Sequence, residues 1–250
     1  MRRRLSDNLK RVRDRIASAC ERCGRSANSV TLIAVTKTVE VDVIRCLLDL
    51  GVTELGESRV QELTKRAGMI EEYRSRRRLV AGPADVPPSP NWHMIGTLQR
   101  NKVKHVLPWA RTIHSVDSLR LAEDISTQGV KLNRTTDVFV QVNVSEEKTK
   151  HGVVVGAASY LIDQIRAMPN LRVIGLMTMA PWSEDPQAAR PHFARLRELF
   201  EDIRHERDCG PEFAHLSMGM SNDFEVAIEE GATMVRIGTA LFEGVTASVP

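Results

Sequence analysis

The amino-acid sequence predicts a single α/β domain, a (β/α)8 TIM-type barrel with an extra N-terminal helix. Eight short runs of apolar and β-branched residues alternate along the chain with longer amphipathic stretches. Strands that are separated by helices form a parallel sheet, and right-handed crossovers place the helices on its outside. The length of 250 residues is about that of a one-domain barrel. We therefore expect the eight units to close into one barrel.

The predicted strands are apolar runs bounded by turn residues or by amphipathic stretches. In chain order they span 30–35, 53–57, 91–96, 112–116, 137–144, 173–179, 213–218 and 233–238. Continuous apolar runs of this kind are typical of parallel strands that are covered on both faces.

Helices are predicted where apolar residues recur every three or four positions. In chain order they span 5–23, 41–50, 59–77, 100–109, 118–128, 153–168, 188–206 and 224–230. The first of them precedes the first strand and is the extra helix. Gly51 stands where a C-terminal cap ends the second helix, and Asn222 or Asp223 can cap the start of the last one.

One segment interrupts the alternation. Residues 79–91 are poor in apolar side chains and contain the Pro-rich run Pro87-Pro88-Ser89-Pro90, which predicts a surface loop. The loop is too short to separate two domains, because the alternation resumes in phase after it. We expect residues 1–245 to form one unit and residues 246–250 to form a C-terminal tail.

Composition and charge favour a soluble, cytoplasmic protein, and we expect a monomer because the sequence shows no exposed apolar helix face. The net charge of +3 is weak and both signs are well mixed, which does not favour binding to nucleic acid or to a membrane surface. No apolar run follows the N-terminal arginines as in a signal peptide, and none is long enough to span a membrane. Cys20 and Cys23 form a lone CxxC without the second pair of a zinc site, so we expect unpaired thiols and no metal.

Active sites of such barrels lie at the carboxyl ends of the strands, and Lys37 follows the first strand directly. We expect its amine at the mouth of the barrel, beside a low-dielectric interior. Desolvation there favours the neutral amine that a Schiff base needs. The alternative is a lysine that only ends the strand or pairs with an acid such as Glu57.

The loops after the seventh and eighth strands have the composition of a phosphate site. Barrels frequently bind phosphate at these two loops. Ser217, Met218 and Ser221 lie in or after the seventh strand, in a stretch that offers hydroxyls, backbone N–H groups and a glycine. Gly238 and Thr239 follow the eighth strand and offer another amide and hydroxyl. With a lysine on the neighbouring first strand, the pattern indicates a phosphorylated carbonyl ligand.

Arg236 lies inside the eighth strand, within an apolar run. A guanidinium there needs an acceptor, which is a phosphate, a carboxylate, a ring nitrogen, or the partner of a buried salt bridge such as Glu57. Other side chains near the strand ends are further candidates for ligand contact: Ser58, His93, Asn143 and Met177. His93, like His114 and His215, is more often a hydrogen-bonded core residue, and Met177 is expected to pack against a ligand ring or the barrel rim.

Six segments together resemble one known family. They read IAVTK at 33–37, GESRVQE at 56–62, WHMIGTLQRNK at 92–102, GLMTM at 175–179, LSMGMS at 216–221 and VRIGTALF at 235–242. In this order and over nearly the whole chain they are similar to the pyridoxal 5′-phosphate (PLP) homeostasis proteins, the YggS-type PLP-binding proteins.

The resemblance implies a barrel like the N-terminal domain of alanine racemase, with PLP as the cofactor on Lys37. It implies that Ser217, Ser221, Gly238 and Thr239 hold the phosphate and that Arg236 faces the pyridine nitrogen. Lys150 matches a family lysine that is implicated in cofactor handling. Ser58 departs from the family, which usually has Asn at that position, and the segment from 81 to 90 looks like an insertion.

Two functions of different class compete. One is a non-catalytic carrier that holds PLP as a Schiff base for intracellular PLP homeostasis and serves PLP-dependent apoenzymes. The alternative is a PLP-dependent amino-acid racemase or decarboxylase. The two tyrosines, Tyr73 and Tyr160, lie on predicted helices away from the strand ends, and an arginine at the ring nitrogen weakens the electron sink of the cofactor. We therefore predict a carrier with no catalytic residue; a third possibility without PLP is a Schiff-base aldolase for a sugar phosphate.

Overall fold

The computed structural model describes residues 1–147, 149–207 and 209–245, so the tail expected at 246–250 lies outside the described residues. Eight parallel strands form a closed barrel with helices around it, which confirms the predicted fold. The barrel strands are β1 (Thr31–Val35), β2 (Glu54–Glu57), β3 (Asn91–Met94), β4 (Ala110–Val116), β5 (Thr136–Asn143), β6 (Leu171–Met177), β7 (His215–Ser217) and β8 (Met234–Ile237).

The pairing of β4 with β5 closes the barrel. Neighbouring strands follow the order β4-β3-β2-β1-β8-β7-β6-β5, and β4 also pairs with β5 in parallel. In the register of β1 with β8, Ile33 lies opposite Arg236. In the register of β1 with β2, Val35 lies opposite Gly56. The segments that follow β1, β2 and β8 therefore meet at one rim, the rim on which the sequence predicts the site.

Helices connect the strands on the outside of the barrel. They are α1 (Arg2–Arg22), α2 (Val41–Asp49), α3 (Val60–Ala81), α4 (Val103–Val106), α5 (Leu119–Lys131), α6 (Ala158–Arg166), α7 (Arg190–Glu206), α8 (Phe224–Glu229) and α9 (Thr239–Phe242). The extra helix α1 buries a stripe at positions 5, 9, 12 and 16, the spacing of one helix face. It packs against α8 and α9, and the Asn8 amide donates to the carbonyls of Leu241 and Glu243 at the end of α9.

The interior of the barrel combines a small apolar cluster with buried polar side chains. Phe139, Ile174 and Met177 pack together there, with the partly buried Met234 against them. The hydrogen bond between His114 on β4 and Ser217 on β7 spans the interior, because these strands are not neighbours in the sheet. Most of the other buried apolar residues form one larger core that joins strands and helices.

Three predicted elements differ from the structure. Helix α3 continues to Ala81, into the predicted loop, and ends where Gly82 takes φ of 85° before Pro83. The helix predicted at 153–168 starts only at Ala158, because the β-branched pair Val153–Val154 forms a short strand against the end of β5. The helix predicted at 100–109 is a 3-10 turn followed by the short α4.

Candidate functional site

A cavity of about 760 Å³ opens at the carboxyl ends of the strands. This volume lies within the usual range of small-molecule sites. Six of the residues predicted for the site line the cavity: Lys37, Ser58, Ser221, Arg236, Gly238 and Thr239. They come from segments that are up to about 200 residues apart in sequence, and they meet because parallel strands present their carboxyl ends at the same rim.

Lys37 lies two residues beyond the end of β1, and its side chain is exposed at the cavity. The side chain thus lies at the mouth of the barrel, and its exposure does not supply the desolvation of the amine that the sequence interpretation expected. The main chain, by contrast, is held: the carbonyl of Lys37 accepts a hydrogen bond from Arg66 Nη2 at 3.5 Å. The site thus fixes the backbone at Lys37 and leaves the side chain open to the cavity.

The sequence interpretation missed Arg66, which organises the segment before Lys37. Arg66 Nη1 binds both the carbonyl of Thr36 and the carboxylate of Glu57. The hydroxyl of Thr36 donates to the same carboxylate at 2.5 Å, and Glu57 is fully buried. The alternative in which Glu57 pairs with Arg236 or Lys37 is therefore wrong. The available signal was an arginine in the helix that follows the strand ending at Glu57.

The loops after β7 and β8 are held against each other by one hydroxyl. Ser221 Oγ accepts hydrogen bonds from the backbone N–H of Gly238 at 3.2 Å and of Ala240 at 3.3 Å. Gly219 has φ of 92°, and a Cβ atom there would lie 2.6 Å from the Cβ of Ala227. Both the conformation and the space disfavour a side chain at this position, so the glycine allows the loop to pack closely on α8.

Arg236 is buried, and both of its terminal nitrogens are engaged. Nη1 donates to Ser217 Oγ at 2.6 Å and Nη2 donates to the carbonyl of Thr178 at 2.9 Å. Burial lowers the pKa of Arg236 to about 10, against the opposing effect of Asp223. The guanidinium therefore stays charged at neutral pH and adds a fixed positive charge to the cavity wall.

Six other predicted residues do not line the cavity: Ser217, Met218, His93, Asn143, Met177 and Lys150. Met218 and Met177 are fully buried. The hydroxyl of Ser217 and the ring of His93 belong to a chain of hydrogen bonds in the interior of the barrel. The structure therefore does not bring these four to the cavity surface.

Asn143 and Lys150 lie at the two ends of a turn after β5. The amide of Asn143 donates to the carbonyl of Glu147 at 2.9 Å, and Ser145 Oγ donates to Asn143 Oδ1 at 3.1 Å. Lys150 Nζ lies 3.9 Å from the Glu147 carboxylate. These contacts fix the shape of the turn rather than the wall of the cavity.

The segment after β6 supplies a wall of the cavity, and only Met179 of this wall belongs to one of the segments noted in the sequence, GLMTM at 175–179. Residues between 179 and 189 that line the cavity are Met179, Pro181, Trp182, Ser183, Asp185, Pro186 and Ala189. Trp182 is 77% exposed. The long Pro-containing stretch between β6 and α7 was the available signal, since functional loops of this fold follow the strands.

The described residues contain neither a metal site nor a membrane-spanning helix. In those ranges, no group of three or more His, Cys, Asp or Glu side chains is arranged to hold a metal ion. Within the same part of the chain, no helix combines the length and apolarity that crossing a membrane requires.

Sequence relatives agree on one family. The alanine racemase N-terminal domain family matches residues 7–245. A pyridoxal phosphate homeostasis protein of Aquifex aeolicus is 43% identical over 236 residues, covering 94% of this chain and 96% of the relative. One of Escherichia coli K12 is 35% identical over 239 residues, covering 95% of each chain. The chain belongs to the family of pyridoxal phosphate homeostasis proteins.

Solved structures of similar proteins share the barrel over nearly its whole length. An unknown protein from Bifidobacterium adolescentis has a TM-score of 0.86 at 38% identity, covering 96% of this chain and 95% of that one. PipY of Synechococcus elongatus with PLP bound has a TM-score of 0.76 at 28% identity, covering 92% and 99%. Alanine racemase of Clostridium difficile, at 16% identity and a TM-score of 0.68, shares the fold, and this chain covers 56% of its length.

Proposed function

We propose that this chain binds PLP on Lys37 and serves intracellular PLP homeostasis by holding the cofactor without substantial catalysis. One observation carries the proposal. A lysine amine, a buried guanidinium and two loops that contain hydroxyls and a glycine all line the same cavity. The names of the relatives and the PLP bound to PipY support the same cofactor. The attachment to Lys37 and the roles given to the other residues are our inference.

The donor set of the cavity fits the chemical groups of PLP. When bound, PLP supplies an aldehyde that condenses with an amine, losing water, and a pyridine ring that withdraws electrons. Lys37 offers the amine. Hydroxyls of Ser221 and Thr239 and the Cβ-free edge of Gly238, next to Val35, offer a place for the phosphate. Ser58 and Gly96 also line the cavity, and a Cβ at 96 would collide with the Ser58 carbonyl.

Arg236 is proposed to face the pyridine nitrogen. A guanidinium is a donor only, and with a pKa of about 10 it keeps its own proton at neutral pH. With PLP bound, Arg236 would donate a hydrogen bond to the ring nitrogen and would not transfer its proton to it. An unprotonated ring is a weaker electron sink, which disfavours the carbanion chemistry of racemases and decarboxylases.

The positions of the two tyrosines also favour a carrier. Tyr160 is 66% exposed on α6, and the ring of Tyr73 on α3 is covered by the guanidinium of Arg45. Neither tyrosine lines the cavity. Racemisation needs an acid or base on each face of the substrate, and these tyrosines offer none there.

Further parts of the proposal concern residues outside the cavity. Ser217 and Met218 are proposed to support the cofactor from below, and His93 and Met177 to shape the interior under it. Asn143 and Lys150 are proposed to act during uptake or release, because their turn follows a strand end. We also propose that residues 1–245 act as one cytoplasmic, monomeric unit whose clients are PLP-dependent apoenzymes.

The test of attachment is borohydride reduction of the protein loaded with PLP, followed by mass spectrometry of its peptides. We expect a visible absorbance band and one modified lysine, Lys37. Lys37→Ala should lose both, and Lys104→Ala, a change of an exposed lysine on α4, should keep both. Reduction at another lysine in wild-type protein would disprove the assignment. A protein without a visible band would favour the aldolase alternative.

The test of the carrier is turnover. PLP-loaded protein should racemise or decarboxylate a panel of amino acids no faster than an equal concentration of free PLP. Rates well above free PLP that disappear in Lys37→Ala would establish an enzyme instead. Transfer is measured by incubating loaded protein with a PLP-dependent apoenzyme and following the recovery of that enzyme's activity.

A further inference from the structure

Four buried or partly buried side chains connect Arg236 to the amino-terminal end of the barrel. Arg236 Nη1 bonds to Ser217 Oγ at 2.6 Å, and Ser217 Oγ bonds to His114 Nδ1 at 2.8 Å. His114 Nε2 lies 2.9 Å from His93 Nδ1, and His93 Nε2 lies 2.7 Å from Glu54 Oε2. The sequence interpretation noted Ser217 and His93 as candidates for ligand contact, but their side chains bond to other members of this hydrogen-bond chain and do not line the cavity.

The two ends of this chain fix the direction of every hydrogen bond in it. An arginine can only donate, so Ser217 Oγ accepts from Arg236. Among the described residues, His114 Nδ1 is the one acceptor within hydrogen-bond distance of the Ser217 hydroxyl, which therefore donates to it. A neutral His114 then carries its proton on Nε2 and donates to His93 Nδ1. His93 in turn carries its proton on Nε2 and donates to Glu54.

The protonation states of His114 and Glu54 agree with this direction. His114 is fully buried, and burial lowers its pKa well below the usual value, with His93 and Arg236 acting in the same sense. Burial by itself raises the pKa of Glu54, but hydrogen bonds from His93 and Asn91 outweigh it, so the pKa lies below its usual value. Glu54 is therefore an ionised acceptor, and His114 is a neutral ring at physiological pH.

The chain joins two opposite charges through neutral groups. Its positive end, Arg236, lines the cavity, whereas Glu54 lies at the start of β2, at the amino-terminal end of the barrel. The ring of His114 is held further by stacking on Phe139, with the ring centroids 4.5 Å apart. Hydrogen bonds thus link Arg236 to residues on β2, β3, β4 and β7, none of which lines the cavity.

We propose that Glu54, His93, His114 and Ser217 are positioning residues that hold Arg236 in one orientation through a one-way hydrogen-bond chain, with both histidines neutral and protonated on Nε2. The effect on the cofactor rests on the proposed function, in which Arg236 faces the pyridine nitrogen. The direction of the chain is independent of that function.

The direction is tested on protein without added PLP. In 15N-histidine-labelled protein at pH 7, ring-nitrogen spectra should show His93 and His114 as neutral rings with the proton on Nε2. Assignment uses His93→Phe and His114→Phe variants. A proton on Nδ1 of His114, or a doubly protonated ring at either position, would overturn the chain as stated.

The positioning role is tested by PLP titration, followed through the visible band. We expect Glu54→Gln and His114→Phe each to raise the Kd for PLP about 10-fold, the scale of a lost hydrogen bond to a charged group. Both should also shift the absorbance maximum, because the contact at the ring nitrogen changes. Glu54→Gln is the more direct variant, since it is nearly isosteric and lies far from the cavity.

His215→Phe is the matched control. His215 lies on β7, its ring approaches the same Phe139 with centroids 6.5 Å apart, and its Nδ1 bonds to Thr233 outside the chain. It should keep the wild-type Kd within about twofold. If Glu54→Gln and His114→Phe, folded by circular dichroism, bind PLP with wild-type affinity and an unchanged band, the positioning role is wrong. If the wild-type protein takes up no PLP, the proposed function fails. The ring-nitrogen spectra still test the direction of the hydrogen bonds between Arg236 and Glu54.

Discussion

His114 makes the stability of the protein depend on pH in a way that one substitution should remove. Its ring is fully buried, and burial lowers the folded-state pKa well below 6.5. In the unfolded chain the same ring titrates near its ordinary value of 6.5. Below that pH the unfolded chain binds a proton that the folded protein does not, so the contribution to stability is present above pH 6.5 and is lost as the pH falls.

The size of the effect follows from linkage. For a ring that stays neutral in the folded protein, protonation of the unfolded chain lowers the free energy of unfolding by about 2 kcal/mol between pH 7 and pH 5. His114→Phe keeps an aromatic ring against Phe139 and cannot be protonated. The variant starts from a lower stability, because Ser217 and His93 lose a buried partner, but it should lose about 2 kcal/mol less than wild type over this pH interval.

The assay is urea unfolding of both proteins at pH 7 and pH 5, followed by circular dichroism. Carboxylates and the other histidines also change the stability between the two pH values. Among them are His192 and His215, whose pKa values are lowered by burial. Their effects are the same in both proteins and cancel when the two losses of stability are subtracted. An equal loss of stability in the variant and in wild type would refute the conclusion that His114 is a neutral ring in the folded state. His215→Phe, at a half-buried ring, should show a smaller difference than His114→Phe.

Three other changes have expected outcomes. Gly219→Ala should lower the free energy of unfolding by about 1–2 kcal/mol because of its φ of 92°. The overlap of the new Cβ with Ala227 should lower it by about 1–3 kcal/mol more. Gly24→Ala, with φ of 67° and open space around its Cβ, should show only the first loss in urea unfolding. Arg66→Met leaves Glu57 buried and unpaired and should lower the free energy of unfolding by about 3–5 kcal/mol; a loss below 1 kcal/mol, roughly, would mean that water reaches the carboxylate. Ser221→Ala removes the acceptor of two loop N–H groups and should raise the Kd for PLP about 10-fold, measured by absorbance titration; an unchanged Kd would contradict a phosphate site at these loops.

Much of the fold and part of the site could be predicted from local patterns. The alternation of apolar runs and amphipathic stretches predicted the barrel, because each run must be buried on both faces and each helix on one. The strand-end rule then brought Lys37, Ser221 and Arg236 to one cavity without any knowledge of contacts. It worked because in a closed parallel barrel the carboxyl end of every strand reaches the same rim.

Other features depend on which way a side chain points. Ser217 and Ser221 are both serines and lie close together in the sequence. The hydroxyl of Ser217 nevertheless points into the barrel, whereas that of Ser221 faces the cavity. Arg66 lies on a helix, and only packing against β2 brings it to Glu57. The start of α6 was misplaced because Val153–Val154 has a local preference for strand, which pairing with β5 satisfies.

The sequence alone determined the barrel, the family resemblance and the lysine that follows the first strand, since each is recorded in short-range order along the chain. The exposure of Lys37 and the hold of Arg66 on its backbone were decided by tertiary structure. So was the hydrogen-bond chain from Arg236 to Glu54. Its members lie on five different strands, and the hydrogen bond of His114 to Ser217 joins residues 103 positions apart. Such contacts depend on the closure of the barrel, which brings strands that are distant in sequence within hydrogen-bond distance across its interior.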